Sequence, residues 1–119
     1  MMKKKKIEDI TSTNSRFCSS ALEFVYEGLG YTVKNTIIEP GHVTGQTLSK
    51  GLAKLAVEKW GRLAKLILNQ WGIKSTRDFG EIVYLLIDHK WMSAQSTDSI
   101  DDFNDVYDFE TVFKEQFEF

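Results

Sequence analysis

Seven oxygen-bearing side chains crowd the C-terminal part of this 119-residue chain: Asp98, Asp101, Asp102, Asn104, Asp105, Asp108 and Glu110. Clustered carboxylates and amides are the ligands that calcium and magnesium require, and Asp101, Asp102, Asn104 and Asp105 form the densest group. Their spacing argues against a calcium loop. Counting from Asp102 puts Asn104 at the third ligand position, but Val106 stands at the fifth and no glycine at the sixth, so half the ligands and the sharp turn are missing. A solvated acidic stretch that also caps a terminal helix explains the same residues. Neither a metal nor a cofactor is expected.

A second candidate chemistry is nucleic-acid binding. Residues 62–71, 72–75 and 76–90 read as a helix, a turn and a recognition helix, with Thr76 and Arg77 placed to meet base edges. Lys50, Lys54, Lys59, Arg62, Lys65 and Lys74 would contact phosphates. Against this, the recognition helix itself carries Asp78, Glu81 and Asp88, and helix pairs joined by a glycine turn are common without DNA. Catalysis has thinner raw material. His42 lies in a loop and His89 near a helix C-terminus, where an imidazole interacts favourably with the helix dipole. Neither has an evident partner in the sequence. Cys18 falls in an apolar stripe, a setting that silences a thiol. Among the aromatic residues, Trp60 and Trp71 fall within apolar stripes. Trp91, Phe117 and Phe119 stand at element ends and are the candidates for contact with a partner.

The elements that must position these residues are helical. Cys18, Ala21, Leu22, Phe24, Val25 and Leu29 recur at helical spacing, behind Asn14 or Ser15 as cap. Gly28 and Gly30 leave two ends open for that helix, one at the glycines and one near Asn35. Past Pro40 and Gly41, Thr44 caps a helix with Leu48, Leu52, Leu55, Ala56 and Trp60 on one face. Gly61 breaks or bends it, and Leu63, Leu66, Ile67 and Trp71 continue the pattern to Gly72, a left-handed cap. Ser75 and Asp78 resemble a capping box opening a third helix, with Phe79, Ile82, Val83 and Leu86 inward and Asp78, Glu81 and Asp88 toward water. Residues 93–105 read as a long loop, and a short helix opens near Asp108 and carries Val112, Phe113 and Phe117.

Composition fits this picture. With 42% apolar and 27% charged residues the chain is neither disordered nor membrane-spanning, and its longest apolar run, residues 82–87, is far below the roughly 18 residues of a spanning helix. Lys3–Lys6 are followed by acidic and polar residues rather than an apolar stretch, so they do not read as a secretory signal. One cysteine permits no internal disulfide and suits a reducing cytoplasm. Residues 1–77 hold 13 of the 15 basic and 6 of the 17 acidic residues, so that portion is strongly positive and the rest strongly negative.

Three segments carry a resemblance: GHVTGQTLSKGLAKLAVEKWG (41–61), NQWGIKSTRDFGEIVYLLIDHKWM (69–92) and DDFNDVYDFETVF (101–113). The chain resembles, over roughly residues 17–113, a family of short conserved hypothetical proteins described mainly from Planctomycetes and Verrucomicrobia. The first helix departs from the family's pattern in carrying two glycines. The resemblance implies one domain and transfers no catalytic or binding residues.

The expected object is therefore an all-α bundle of about four helices over residues 15–119. A flexible basic tail covers residues 1–14, and an acidic arm covers about 93–119. Its expected role is non-catalytic binding of another protein, self-association included, with no membrane contact. A helix-turn-helix nucleic-acid module is the alternative, through Lys50, Lys54, Arg62, Lys65, Lys74 and Arg77.

Overall fold

The computed structural model describes residues 17–35, 43–89, 91 and 99–115. The expected basic tail, the Asn14 or Ser15 cap, the Pro40–Gly41 turn, His42, residues 92–98, Phe117 and Phe119 lie outside them. The elements are α1 (Ser19–Asn35), α2 (Gly45–Trp60), a 3-10 turn (Gly61–Leu63), α3 (Ala64–Gln70), α4 (Thr76–Asp88), a second 3-10 turn (Ile100–Phe103) and α5 (Phe109–Glu115). The fold is all-α, with no strand among the described residues. The expected four helical stretches are present, the second divided at Gly61.

Helix α1 runs through both glycines to Asn35, and packing against α2 explains why. Gly28 is buried, and a Cβ there would overlap the Leu52 side chain of α2. One turn later the buried Thr32 donates its hydroxyl back to the Gly28 carbonyl at 2.7 Å and rests on Gly51 of α2. Tertiary contact of this kind outweighs the roughly 0.5–1 kcal/mol that a mid-helix glycine costs. Gly30 differs: it is exposed, and a Cβ there meets nothing within 4 Å. Gly30→Ala should therefore raise stability by about 0.5–1 kcal/mol in urea denaturation. A loss of stability would mean that α1 frays before Gly30.

Cys18 is not in the apolar stripe. The helix begins one residue later, and Cys18 is exposed, with its carbonyl receiving the Ala21 and Leu22 amides. Phe17 takes the buried position.

Helix α2 is capped as expected, the Thr47 amide donating to the Thr44 hydroxyl at 3.1 Å. It ends at Gly61, whose φ of 56° is open to glycine and strained for other residues. The chain turns there, so α3 starts in a new rotational register. Ala64 and Leu68 face the core, and Leu63 and Leu66, expected inside, are 54% and 55% exposed. Eleven residues of continuous helix would hold Trp60 and Trp71 roughly 16 Å apart along the axis. The turn instead brings their rings to 5.2 Å, edge to face, with Phe24 completing the cluster at 5.1 Å from Trp60. Gly72, at φ 87°, ends α3 in the left-handed cap expected of it, and the Ile73 amide reaches back to the Leu68 carbonyl at 2.9 Å.

The start of α4 differs from the expected capping box. Ser75 makes no side-chain cap, and the Asp78 carboxylate accepts from the Lys74 amide at 2.8 Å, the residue before the cap. This contact turns Asp78 inward, so it is buried rather than facing water. The stretch read as a long loop contains the second 3-10 turn, capped by Ser99 and packed on α4 and the start of α2. Helix α5 then starts where expected: the Asp108 carboxylate accepts from the Thr111 amide and hydroxyl. Phe79, Phe109 and Phe113 join one core with the α1–α2 leucines. No helix among the described residues is long and apolar enough to cross a membrane.

Candidate functional site

Residues that the sequence assigns to two separate chemistries meet each other. Thr76, proposed for base edges, is buried at the start of α4, and its hydroxyl donates to the Phe103 carbonyl at 2.6 Å. The same oxygen accepts from the Val106 amide at 3.2 Å, so one hydroxyl ties the acidic segment to the helix on both sides of Asn104. Arg77, the other base-edge candidate, donates to Asp101 at 3.0 Å and to Asn104 at 2.9 Å. Two of the four cation-ligand candidates thus face a guanidinium. Asp102 is half-buried with its Cβ against Gly45, and Asp105 is an exposed turn residue at φ 49°. Among the described residues no group of three or more His, Cys, Asp or Glu side chains is placed to hold a metal ion.

The acidic segment is anchored again at Tyr107, whose hydroxyl donates to the Ser49 carbonyl of α2 at 2.6 Å. Burial pushes this phenol well above its ordinary range. In the unfolded chain it ionises near pH 10, so the unfolded state loses its proton first. Stability from this group is therefore complete below pH 10 and falls as pH rises beyond it, by up to about 1.4 kcal/mol per pH unit. Tyr107→Phe should cost about 1 kcal/mol at pH 7 through the lost hydrogen bond, and that deficit should shrink and vanish above pH 10. Parallel stability profiles for the two proteins from pH 9 to 11.5 would refute this.

The remaining basic candidates divide into two groups. Lys65 pairs with Glu110 of α5, and Lys59 pairs with Glu27 of α1 at 3.1 Å. Lys74 is exposed and edges a cleft that Asp105 and Asp108 also line, and Arg62 is exposed on the first 3-10 turn. Lys50 and Lys54 stand one helical turn apart on the exposed side of α2. They line a cleft of about 190 Å³ with Tyr31, Thr32, Asn35, Thr47 and Gly51.

Of the aromatic candidates described, Trp91 is half-buried rather than exposed: its ring stands edge-on to Tyr26 at 5.3 Å, and its amide donates to the Leu86 carbonyl. His89 ends α4 with Nδ1 2.9 Å from the Leu85 carbonyl, which makes Nδ1 the donor. The apolar surface that sequence reasoning missed is the pair Leu63 and Leu66. Gly61 was the available signal, because a break there changes which side of the following helix faces the core.

No family model, curated protein or solved structure matches this chain.

Proposed function

We propose that this domain is a non-catalytic module that binds another protein, a second copy of itself included, through the outer face of α3. The observation that carries the reading is the exposure of Leu63, at the end of the 3-10 turn, and of Leu66 on the short helix α3, beside Trp60, Ile67 and Trp71, which are only half-buried. Apolar area left in water forgoes about 25 cal/mol per Å², and tryptophan rings at a partly open surface are the groups that dominate interface energetics. Part of the chain's opposite charge is neutralised internally, Lys65 by Glu110 and Arg77 by Asp101. Binding through this face is therefore driven mainly by apolar contact, with modest salt dependence. A reducing cytoplasm suits a module with one cysteine.

The test is sedimentation of the full chain together with affinity capture from native lysate, with Leu63→Glu/Leu66→Glu as comparison. Self-association or a bound protein abolished by the double substitution supports the reading. Association untouched by it overturns the reading. The nucleic-acid alternative keeps the exposed Lys50, Lys54, Arg62 and Lys74, because Thr76 and Arg77 are engaged within the chain and Lys65 is paired with Glu110. Nuclease treatment of the captured material tests it directly.

A further inference from the structure

The cleft between the last turn of α1 and the first half of α2 differs from the surfaces around Lys59, Lys65 and Arg77. Lys59, Lys65 and Arg77 each meet a carboxylate. Lys50 and Lys54 meet none among the described residues, and none of the described side chains lining their cleft is acidic. Glu58 of α2 takes the Tyr31 hydroxyl in an adjoining cleft that Lys54 also lines, and no ion pair joins Lys54 to it among the described residues. The other polar lining groups can also donate. Thr47 accepts from the Thr44 hydroxyl at 3.0 Å, which leaves its own proton free, and Asn35 uses its amide nitrogen on the Tyr31 carbonyl, with a second hydrogen remaining.

The floor is shaped by close packing: Gly51 lies against Thr32, whose hydroxyl is committed to the Gly28 carbonyl. Helix α2 has no acidic residue in its first turn, so the positive end of its dipole is uncompensated by its own side chains. The α1 carbonyl end opposes this, with Lys34 in its last turn as partial offset. The cleft therefore offers two ammonium groups, a hydroxyl and an amide, all donors, beside one aromatic wall.

We propose that this cleft binds a phosphate monoester. A phosphoryl group carries close to two negative charges at neutral pH and three acceptor oxygens, matching two lysines and two neutral donors, and Tyr31 gives the ester's organic part an apolar surface. The site is independent of the α3 face, so either can fail without the other.

The experiment is an NMR titration of the full chain with inorganic phosphate and with phenyl phosphate, against sodium chloride at matched ionic strength. Saturable shifts at the Thr47, Lys50, Gly51 and Lys54 amides, absent with chloride, are expected. Lys50→Ala and Lys54→Ala should each weaken binding about tenfold, as loss of one charge-assisted hydrogen bond predicts, and Lys→Arg at either position should largely restore it. Both residues are exposed, so the variants should fold, and unchanged amide positions in α4 will show it. A phosphoserine peptide titrated beside its unphosphorylated form separates two sources of the same chemistry. Tighter binding than phenyl phosphate identifies a phosphorylated protein, and equal binding identifies a small phosphate ester. Shifts no larger than with chloride, or shifts that survive both alanine substitutions, would overturn the proposal. So would tight binding of a DNA duplex with a multi-phosphate salt slope in the absence of saturable phosphate binding.

Discussion

Phe103→Ala should remove about 3–5 kcal/mol of folding stability, a large share of the 5–15 kcal/mol expected for a domain of this size. Phe103 is 4% exposed and lies across two glycines from different helices. A Cβ on Gly80 of α4 would come within 2.8 Å of its ring, and one on Gly45 of α2 within 2.9 Å. That fit is the reason for the large value. Where a core residue is surrounded by flexible side chains, neighbours relax into the hole left by truncation. Two glycines have no side chains to relax, so the cavity stays. The hydrogen bonds from the Thr76 hydroxyl to the Phe103 carbonyl and from the Val106 amide to Thr76 also depend on the ring holding the chain in place. The comparison variant is Arg77→Ala. Its pairs with Asp101 and Asn104 are exposed, and exposed pairs are worth about 0–1 kcal/mol. Urea denaturation of both variants decides the issue. Equal losses would mean that charge, not the buried ring, anchors the acidic segment.

Gly51→Ala should destabilise the protein by about 1–3 kcal/mol, although helix propensity alone predicts a gain of about 1 kcal/mol at a mid-helix glycine. A Cβ at residue 51 would overlap Thr32 Oγ1 and stand 2.9 Å from Thr32 Cβ. Thr32 cannot swing away easily, because it is β-branched and its hydroxyl is bound to the Gly28 carbonyl. The two helices must part instead, and the close approach of Leu52 to Gly28 is lost with them. Thr32→Ala removes Oγ1 and Cγ2 and leaves the Cβ, so relief should be partial. The double variant should be less destabilised than the sum of the single ones by at least about 0.5 kcal/mol. Simple additivity in chemical denaturation would place the cost of Gly51→Ala outside this contact. The opposite sign expected for Gly30→Ala makes the pair informative, since both replace a glycine within a helix.

Those glycines show where the legibility of the sequence stops. Gly28, Gly30 and Gly51 look alike in a propensity scale, yet Gly28 and Gly51 accept a neighbouring helix and Gly30 faces solvent. The caps at Thr44 and Asp108, the left-handed end at Gly72 and the inward face of α4 were legible because each depends on residues within about one helical turn. Leu63 and Leu66 read as core only when periodicity is carried across Gly61, where the backbone leaves the helix.

The candidate sites were legible as inventories of chemical groups and not as assemblies. Asp101 and Asn104 read as cation ligands, and Arg77 as a reader of bases, until a contact spanning 24 to 27 residues joined them. The sequence by itself determined that the chain is helical, where most helices begin, and that its charge is divided between its two ends. Propensity, capping and composition are local quantities, and they settle such matters. The tertiary structure alone decided which face of each helix is covered, which charges neutralise one another, and which lysines and leucines remain available. Those outcomes depend on which distant side chains fit against a given surface, as Phe103 does against Gly45 and Gly80, and no local pattern encodes that fit.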